Sequence, residues 1–258
     1  MRKLLSALII SACSITSLVV NSQPRSESLT PVVWKNIYPG IDYYQTDYGK
    51  WFKKGKIYAI RLSQPRKLKL LKDSFKSTSL EQLDKKYKPI VLINGGYFQE
   101  NFLPTGLLKI DGKVLSKLNK LGSSGVLAIN NTQTDILHKK YLESYKNKYS
   151  DLMQNGPLLV ENNGQMGIYK DDHAYGARTI VATNKENKTL IIVADHDAAP
   201  SLWEISALLV KKESEGGFDC KTAINMDGGS STGFRINLPN KKVRVDELDY
   251  IANGIGVF

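Results

Sequence analysis

The sequence predicts an α+β fold: a single domain with a mixed or antiparallel β-sheet core and a few packed helices. Three observations carry that reading. From Val32 onward, short runs of alternating or β-branched apolar residues recur between Gly, Asn and Pro. Helical spacing of apolar residues occurs in only three places. No repeat of fixed period and no mid-chain linker divides the chain. Its 258 residues, 41% hydrophobic and 24% charged, exclude wholesale disorder, and its two Cys exclude a disulfide-dense scaffold.

The N-terminal stretch reads as an address. Met1-Arg2-Lys3 is basic, and residues 4–12 form an apolar stretch too short to span a bilayer. Ile10-Ser11-Ala12-Cys13 resembles the bacterial lipobox, where small residues admit the peptidase and the thiol takes acyl chains. Residues 1–12 are therefore expected to be a signal peptide of lipoprotein type, with Cys13 as the lipid anchor. Residues 13–31, rich in Ser, Thr, Asn, Gln and Pro, are expected to be a tether, and 32–258 the folded domain. Ser14 after the Cys permits outer-membrane sorting by the same resemblance, so the expected location is exported, periplasmic or outer-membrane. Cys220 then has no disulfide partner and reads as an inert, half-buried thiol.

Strands are expected at 41–48, 56–63 and 68–71, followed by a helix over 79–86, where Ser79 caps and Gln82 stands at the capping-box distance. Strands at 90–94, 107–110, 126–130 and 134–138 come next, then a helix over 141–153. Further strands fall at 158–161, 179–183 and 189–194. Asn162-Asn163-Gly164 and Asn184-Lys185-Glu186-Asn187 supply hairpin turns. A third helix spans 201–215: Pro200-Ser201 starts it, Leu202, Ile205, Leu208 and Leu209 carry it, and Gly216-Gly217 stops it. Strands at 222–226, 233–237 and 251–257 close the chain.

Charge is uneven. Lys and Arg number 36 against 25 acids, a net +11, and residues 50–88 hold 13 basic residues against three acids. A concentrated positive field suits polyanions such as acidic glycans or anionic lipid. Only seven of the basic residues are Arg, and no nucleic-acid motif accompanies them, so nucleic acid is not an expected partner.

Four short stretches place Asn, Asp or Arg beside Gly or at the end of an apolar run. They are Asn94-Gly95-Gly96-Tyr97-Phe98, Asn155-Gly156-Pro157, Ala177-Arg178-Thr179 and Asn225-Met226-Asp227-Gly228-Gly229-Ser230-Ser231-Thr232. Glycine lets backbone adopt positive φ and lets a ligand approach, and successive N–H groups in such turns form anion sites. A strand that stops at a carboxylate and two glycines sets that carboxylate at a sheet edge.

Other chemistries are less well supported. Residues 229–233 match G-x-S-x-G, but that fold needs its His after the Ser, and His138, His173 and His196 all precede it. Phosphate-loop and dinucleotide glycine patterns are absent. Asp171-Asp172-His173 and Asp195-His196-Asp197 have no zinc-type ligand spacing around them. No metal and no cofactor is expected.

The four stretches resemble the phosphodiester glycosidase family. The family's Asn-Gly-Gly-aromatic-Phe, Asn-Gly-Pro and Arg-Thr blocks match at 94–98, 155–157 and 178–179. Its Leu-Asp-Gly-Gly-Gly-Ser block matches at 226–231, with Ser230 in place of the third Gly, and its closing strand matches at 253–258. The matches follow family order from about residue 90. One departure stands out: where the family has Asp-Gly-Arg, this chain has Asp195-His196-Asp197.

The resemblance implies hydrolysis of a sugar-1-phosphodiester, such as that of N-acetylglucosamine, at the sugar carbon. The products would be free sugar and a phosphomonoester. In that reading Arg178 clamps phosphate, and Asp227 acts at the anomeric carbon as nucleophile or water-activating base. Glu204 or Asp195 supplies a second carboxylate. The Gly95, Gly96, Gly228 and Gly229 amides add donors. Asn94 and the Asn155-Gly156 turn bind sugar hydroxyls. Thr179, Ser230 and Ser231 bond phosphate or orient Asp227. The rival expectation is a non-catalytic surface lipoprotein that binds acidic glycans through the basic stretch.

Overall fold

A computed structural model of the chain describes residues 30–50, 53–63, 66–73, 76–161 and 163–258. The expected signal segment 1–12, the Cys13 anchor and all but the last two residues of the 13–31 tether lie outside them.

The strands form three sheets, and every strand pair is antiparallel. The largest sheet runs β1 (Lys35–Tyr38), β2 (Ile41–Lys50), β3 (Lys53–Leu62), β14 (Thr189–Ala194), β13 (Arg178–Asn184), β15 (Cys220–Asn225), β11 (Leu158–Glu161) and β12 (Gln165–Met166). A second runs β7 (Lys113–Ser116), β6 (Leu108–Ile110), β10 (Asp151–Asn155), β8 (Gly125–Ile129) and β9 (Thr134–His138). The third runs β17 (Lys241–Val245), β16 (Phe234–Leu238), β5 (Val91–Asn94), β18 (Gly254–Val257) and β4 (Leu68–Leu71). The helices are α1 (Leu80–Tyr87), α2 (Leu142–Tyr145) and α3 (Leu202–Val210).

Side-chain alternation explains the layering. Val181, Ile191 and Val193 share one core with Ile93, Ile255 and Phe234 of the third sheet and Leu127 and Met153 of the second. Their neighbours Ile180, Ala182, Leu190 and Ile192 point the other way, against Ile205, Leu208 and Leu209 of α3. The central strands β13 and β14 are thus covered on both faces, which is why they read as nearly continuous apolar runs. Leu80 and Leu83 of α1 pack on Leu92 and Leu71, closing the outer face of the third sheet. Ser79 and Gln82 form the capping box read from the sequence.

The structure corrects two helices. The stretch 141–153 is a short helix, α2, that gives way to β10 at Asp151. Leu142, Tyr145, Tyr149 and Leu152 have helical spacing and do share one cluster. They reach it from two elements, because β10 gains ladder bonds from both β6 and β8. The third helix ends at Val210, where Lys211 turns extended, and Gly216 at φ 80 ends a separate short turn over Glu213–Glu215. Strands β1, β7, β10, β12 and β17 were not expected; β1 and β17 are polar edge strands with little apolar alternation.

Candidate active site

Strand ends from all three sheets meet at one place. Asn94 ends β5, Asn155 ends β10 and Asn225 ends β15. Arg178 starts β13 at the same end, since β13 runs antiparallel to β15 with Ile180 opposite Asn225. Asn94 Nδ2 donates to the Asp227 carbonyl at 2.8 Å, and its Oδ1 accepts from Thr179 Oγ1 at 2.7 Å and Gly233 N at 3.2 Å. Asp227 N donates to the Gly95 carbonyl at 3.1 Å and Met226 N to the Thr179 carbonyl at 2.8 Å. Tyr97 N donates to Asn155 Oδ1 at 3.3 Å, and the Tyr97 hydroxyl donates to the Gly156 carbonyl at 2.8 Å. The four stretches singled out in the sequence are therefore one hydrogen-bonded unit.

Glycine serves close packing here. A Cβ on Gly95 would lie 1.9 Å from Asn253 Oδ1, and one on Gly96 2.8 Å from Asn155 Nδ2. A Cβ on Gly228 would lie 2.9 Å from the Ala177 carbonyl, and Gly229 has φ +58, a left-handed conformation that favours glycine.

The candidates divide by access to solvent. Asn94, Gly95, Gly96, Asn155, Gly156, Thr179 and Ser231 are buried. Tyr97, Arg178, Asp227 and Gly228 are half-buried, and Gly229 and Ser230 are exposed. The amides expected as ligand donors are engaged within the protein. Gly95 N donates to the Asn253 carbonyl at 3.0 Å and Gly96 N to Asn253 Oδ1 at 2.7 Å. Gly229 N donates to the Ala177 carbonyl at 2.9 Å and Gly228 N to Asp227 Oδ1 at 3.0 Å.

Two charges stand on the accessible face. Among the described residues no cation pairs with Asp227. Burial raises its pKa above the ordinary carboxylate value, against hydrogen bonds from the Ser231 side chain and Gly228 N that lower it. Arg178 Nε donates to the Pro200 carbonyl at 3.0 Å and Nη2 to the Ala174 carbonyl. That leaves Nη1 facing Gly228, 4.0 Å from where its Cβ would sit. Burial lowers the Arg178 pKa. The charges of Asp227 and Arg178 both reach Tyr97, whose hydroxyl burial pushes up to about 12.

The second-carboxylate candidates hold backbone. Asp195 Oδ2 accepts from Lys56 N at 3.0 Å, and its Oδ1 from Asp197 N at 3.1 Å and Ala198 N at 2.9 Å. Glu204 Oε2 accepts from Ser201 N at 3.1 Å in the capping box of α3. Asp195→Asn turns an amide NH2 toward backbone donors, and the expected result is a stability loss of about 1–3 kcal/mol with kcat per folded molecule unchanged. Urea unfolding beside kinetics checks this; a hundredfold fall in kcat would return Asp195 to the chemistry.

Sequence reading passed over Tyr97, Asn225 and Asn253 as site residues. Each lies in or beside a quoted stretch, and the signal was a polar or aromatic residue adjoining Gly or a strand end. Among the described residues no three His, Cys, Asp or Glu side chains group to hold a cation. The basic stretch 50–88 is spread over β3, β4 and α1, and Lys56, Arg61, Lys85 and Lys86 pair with Asp47, Asp42, Glu81 and Asp73. A hollow of about 410 Å³ beside Lys69, Lys72, Tyr87 and Phe258 shares no lining residue with the Asp227 turn.

A half-buried carboxylate and a half-buried guanidinium thus stand beside one polar strand-end junction. The sequence profile described as phosphodiester glycosidase matches residues 87–258. The chain belongs to the phosphodiester glycosidase family.

Solved structures share the fold. The catalytic domain of zebrafish N-acetylglucosamine-1-phosphodiester alpha-N-acetylglucosaminidase aligns with a TM-score of 0.65 at 17% identity, covering 90% of this chain and 86% of that one. A hypothetical protein from Synechocystis aligns with a TM-score of 0.67 at 15% identity over 88% of this chain, which spans 63% of that protein's length. A Burkholderia pseudomallei protein described as exported aligns with a TM-score of 0.53 at 10% identity, over 80% of this chain and 74% of that one. No curated protein matches the sequence.

Proposed function

We propose that this protein hydrolyses a sugar-1-phosphodiester at the anomeric carbon. The observation that carries the reading is a half-buried Asp227 carboxylate, with no cation partner among the described residues, on the turn whose Gly228 Arg178 Nη1 faces. The C1–O bond breaks and its electron pair leaves on a phosphate oxygen. Water supplies the new C1 hydroxyl, and its second proton leaves by way of Asp227 to solvent or product. Free sugar and phosphomonoester result.

Phosphate is a fair leaving group without protonation, so one carboxylate at the sugar suffices and no acid opposite it is required. Arg178 is suited to the charge that builds on the leaving phosphate. Asn94, Asn155 and Thr179 act in this account as the frame that holds Asp227, with Ser231 orienting its carboxylate. Gly229 and Ser230 border the substrate. Asp195 anchors a loop and Glu204 caps a helix.

The zebrafish enzyme's name makes N-acetylglucosamine-1-phosphodiesters the first substrates to test. The lipobox-like Cys13 supports an exported, lipid-anchored protein acting on glycans of the envelope. No helix among the described residues is long and apolar enough to cross a membrane.

The experiment is turnover of the methyl phosphodiester of N-acetylglucosamine-1-phosphate in ¹⁸O-labelled water. The expected products are N-acetylglucosamine and methyl phosphate free of label. Label in the phosphate would place cleavage at phosphorus and remove Asp227 from its role at carbon. Absence of turnover across hexose and hexosamine diesters would remove the reading itself.

A further inference from the structure

We propose that the Tyr97 hydroxyl is a positioning group for Asp227, acting through Asn225 and without giving a proton to the reaction. The inference rests on the function proposed above but has a readout that does not need turnover. Asn225 Nδ2 donates to the Tyr97 hydroxyl at 2.7 Å and to the Met226 carbonyl at 2.8 Å. The Tyr97 hydroxyl in turn donates to the Gly156 carbonyl at 2.8 Å.

The chain of donors has one direction. A phenol has one proton, and Gly156 holds it. Tyr97 therefore cannot donate to Asp227 or to a leaving phosphate while this bond stands, which excludes it as the general acid. What the bonds do is mechanical. Tyr97 joins the turn after β5 to the β10–β11 turn and to the last residue of β15. Asp227 follows Asn225 by two residues, and its own backbone N–H and carbonyl bond to the Gly95 carbonyl and Asn94 Nδ2.

A cost marks the arrangement as more than packing. Asn225 is 2% exposed, yet among the described residues its Oδ1 has no partner. Its amide points both N–H bonds at Tyr97 and Met226 and leaves the oxygen stranded. A buried orphan of this kind calls for a reason, and fixing the strand end that carries Asp227 supplies one. Tyr97 is also half-buried, and the charges of both Asp227 and Arg178 reach its hydroxyl.

Tyr97→Phe keeps the ring and removes the hydroxyl. The expected result is a fall in kcat of roughly 10- to 100-fold with KM nearly unchanged, because a small misplacement of a reacting group is costly. The acid limb of the pH profile should move down in pH as Asp227 gains solvent. Independently of turnover, ¹³C NMR titration should show the Asp227 carboxyl shifted toward its ordinary value in Tyr97→Phe. Asn225→Ser should give a similar shift, and the double variant little more than either alone.

An unmoved Asp227 titration would overturn the proposal, whatever the activity. So would unchanged kcat with only a lower Tm, which is what a merely structural hydroxyl gives. Wild-type inactivity on every sugar phosphodiester, with the titration shift present, would sink the proposed function and leave the positioning role standing.

Discussion

Asp227→Asn is expected to abolish turnover, by about 10³-fold or more, while the folded protein keeps or gains thermal stability at neutral pH. The sign of the stability effect follows from burial. The carboxyl of Asp227 has its pKa raised in the folded state, chiefly by desolvation. A raised carboxyl contributes stability when protonated, and that contribution is lost as pH rises through the folded pKa. At pH 7 the wild type therefore holds a charge that burial penalises, and the amide removes the penalty. It still accepts from Gly228 N through its oxygen.

The same shift shapes activity. In the proposed reaction Asp227 is ionised when it attacks carbon or takes a proton from water, so the acid limb of kcat/KM should lie above the ordinary carboxylate range. It should vanish from the residual activity of Asp227→Asn. A limb at the pKa of an ordinary exposed carboxylate would mean that another group is being titrated.

Arg178→Ala carries the second large effect, a loss of about 10²–10³-fold in kcat/KM. Arg178→Lys should do little better. Two of the three guanidinium nitrogens are spent on Pro200 and Ala174, which fixes the plane and presents Nη1 toward the Gly228 turn. An ammonium has no fork with which to hold both carbonyls and still reach substrate. Because the Arg178 pKa is lowered by burial, removing its charge should not by itself destabilise the fold beyond the loss of these two bonds. Inhibition by methyl phosphate reads the clamp directly: its Ki should rise at least tenfold in both variants. If Arg178→Lys bound and turned over substrate as the wild type does, the phosphate would have to be held elsewhere.

The fold was legible where one local signal decides. Ser79 with Gln82, Pro200-Ser201, and the Asn184–Asn187 turn all formed as their chemistry dictates, and the apolar runs of β5, β13, β14 and β15 are strands. It was hidden where partners decide. Leu142, Tyr145, Tyr149 and Leu152 spell a helix, but a strand slot between β6 and β8 claims Leu152. Edge strands such as β17 carry too little apolar alternation to announce themselves.

The site shows the same contrast. The residues the motifs pointed to come together in space: Asn94, Asn155 and Asp227 belong to one hydrogen-bonded junction, with Arg178 Nη1 facing Gly228 beside it. Motif chemistry could not separate frame from face. Whether Gly95 N meets a ligand or Asn253 depends on a residue 158 positions away, and Asp195 looks reactive until its three backbone donors are in view. Tyr97 was read as the aromatic of a motif, and its hydroxyl's partners lie on two other segments.

The most direct test of the account is a crystal structure of Asp227→Asn soaked with the methyl phosphodiester of N-acetylglucosamine-1-phosphate. The account predicts the anomeric carbon about 3–3.5 Å from the side chain at position 227, with a phosphate oxygen on Arg178 Nη1. A ligand seated instead in the hollow beside Lys69 and Phe258, or one bound with its phosphate away from Arg178, would contradict it.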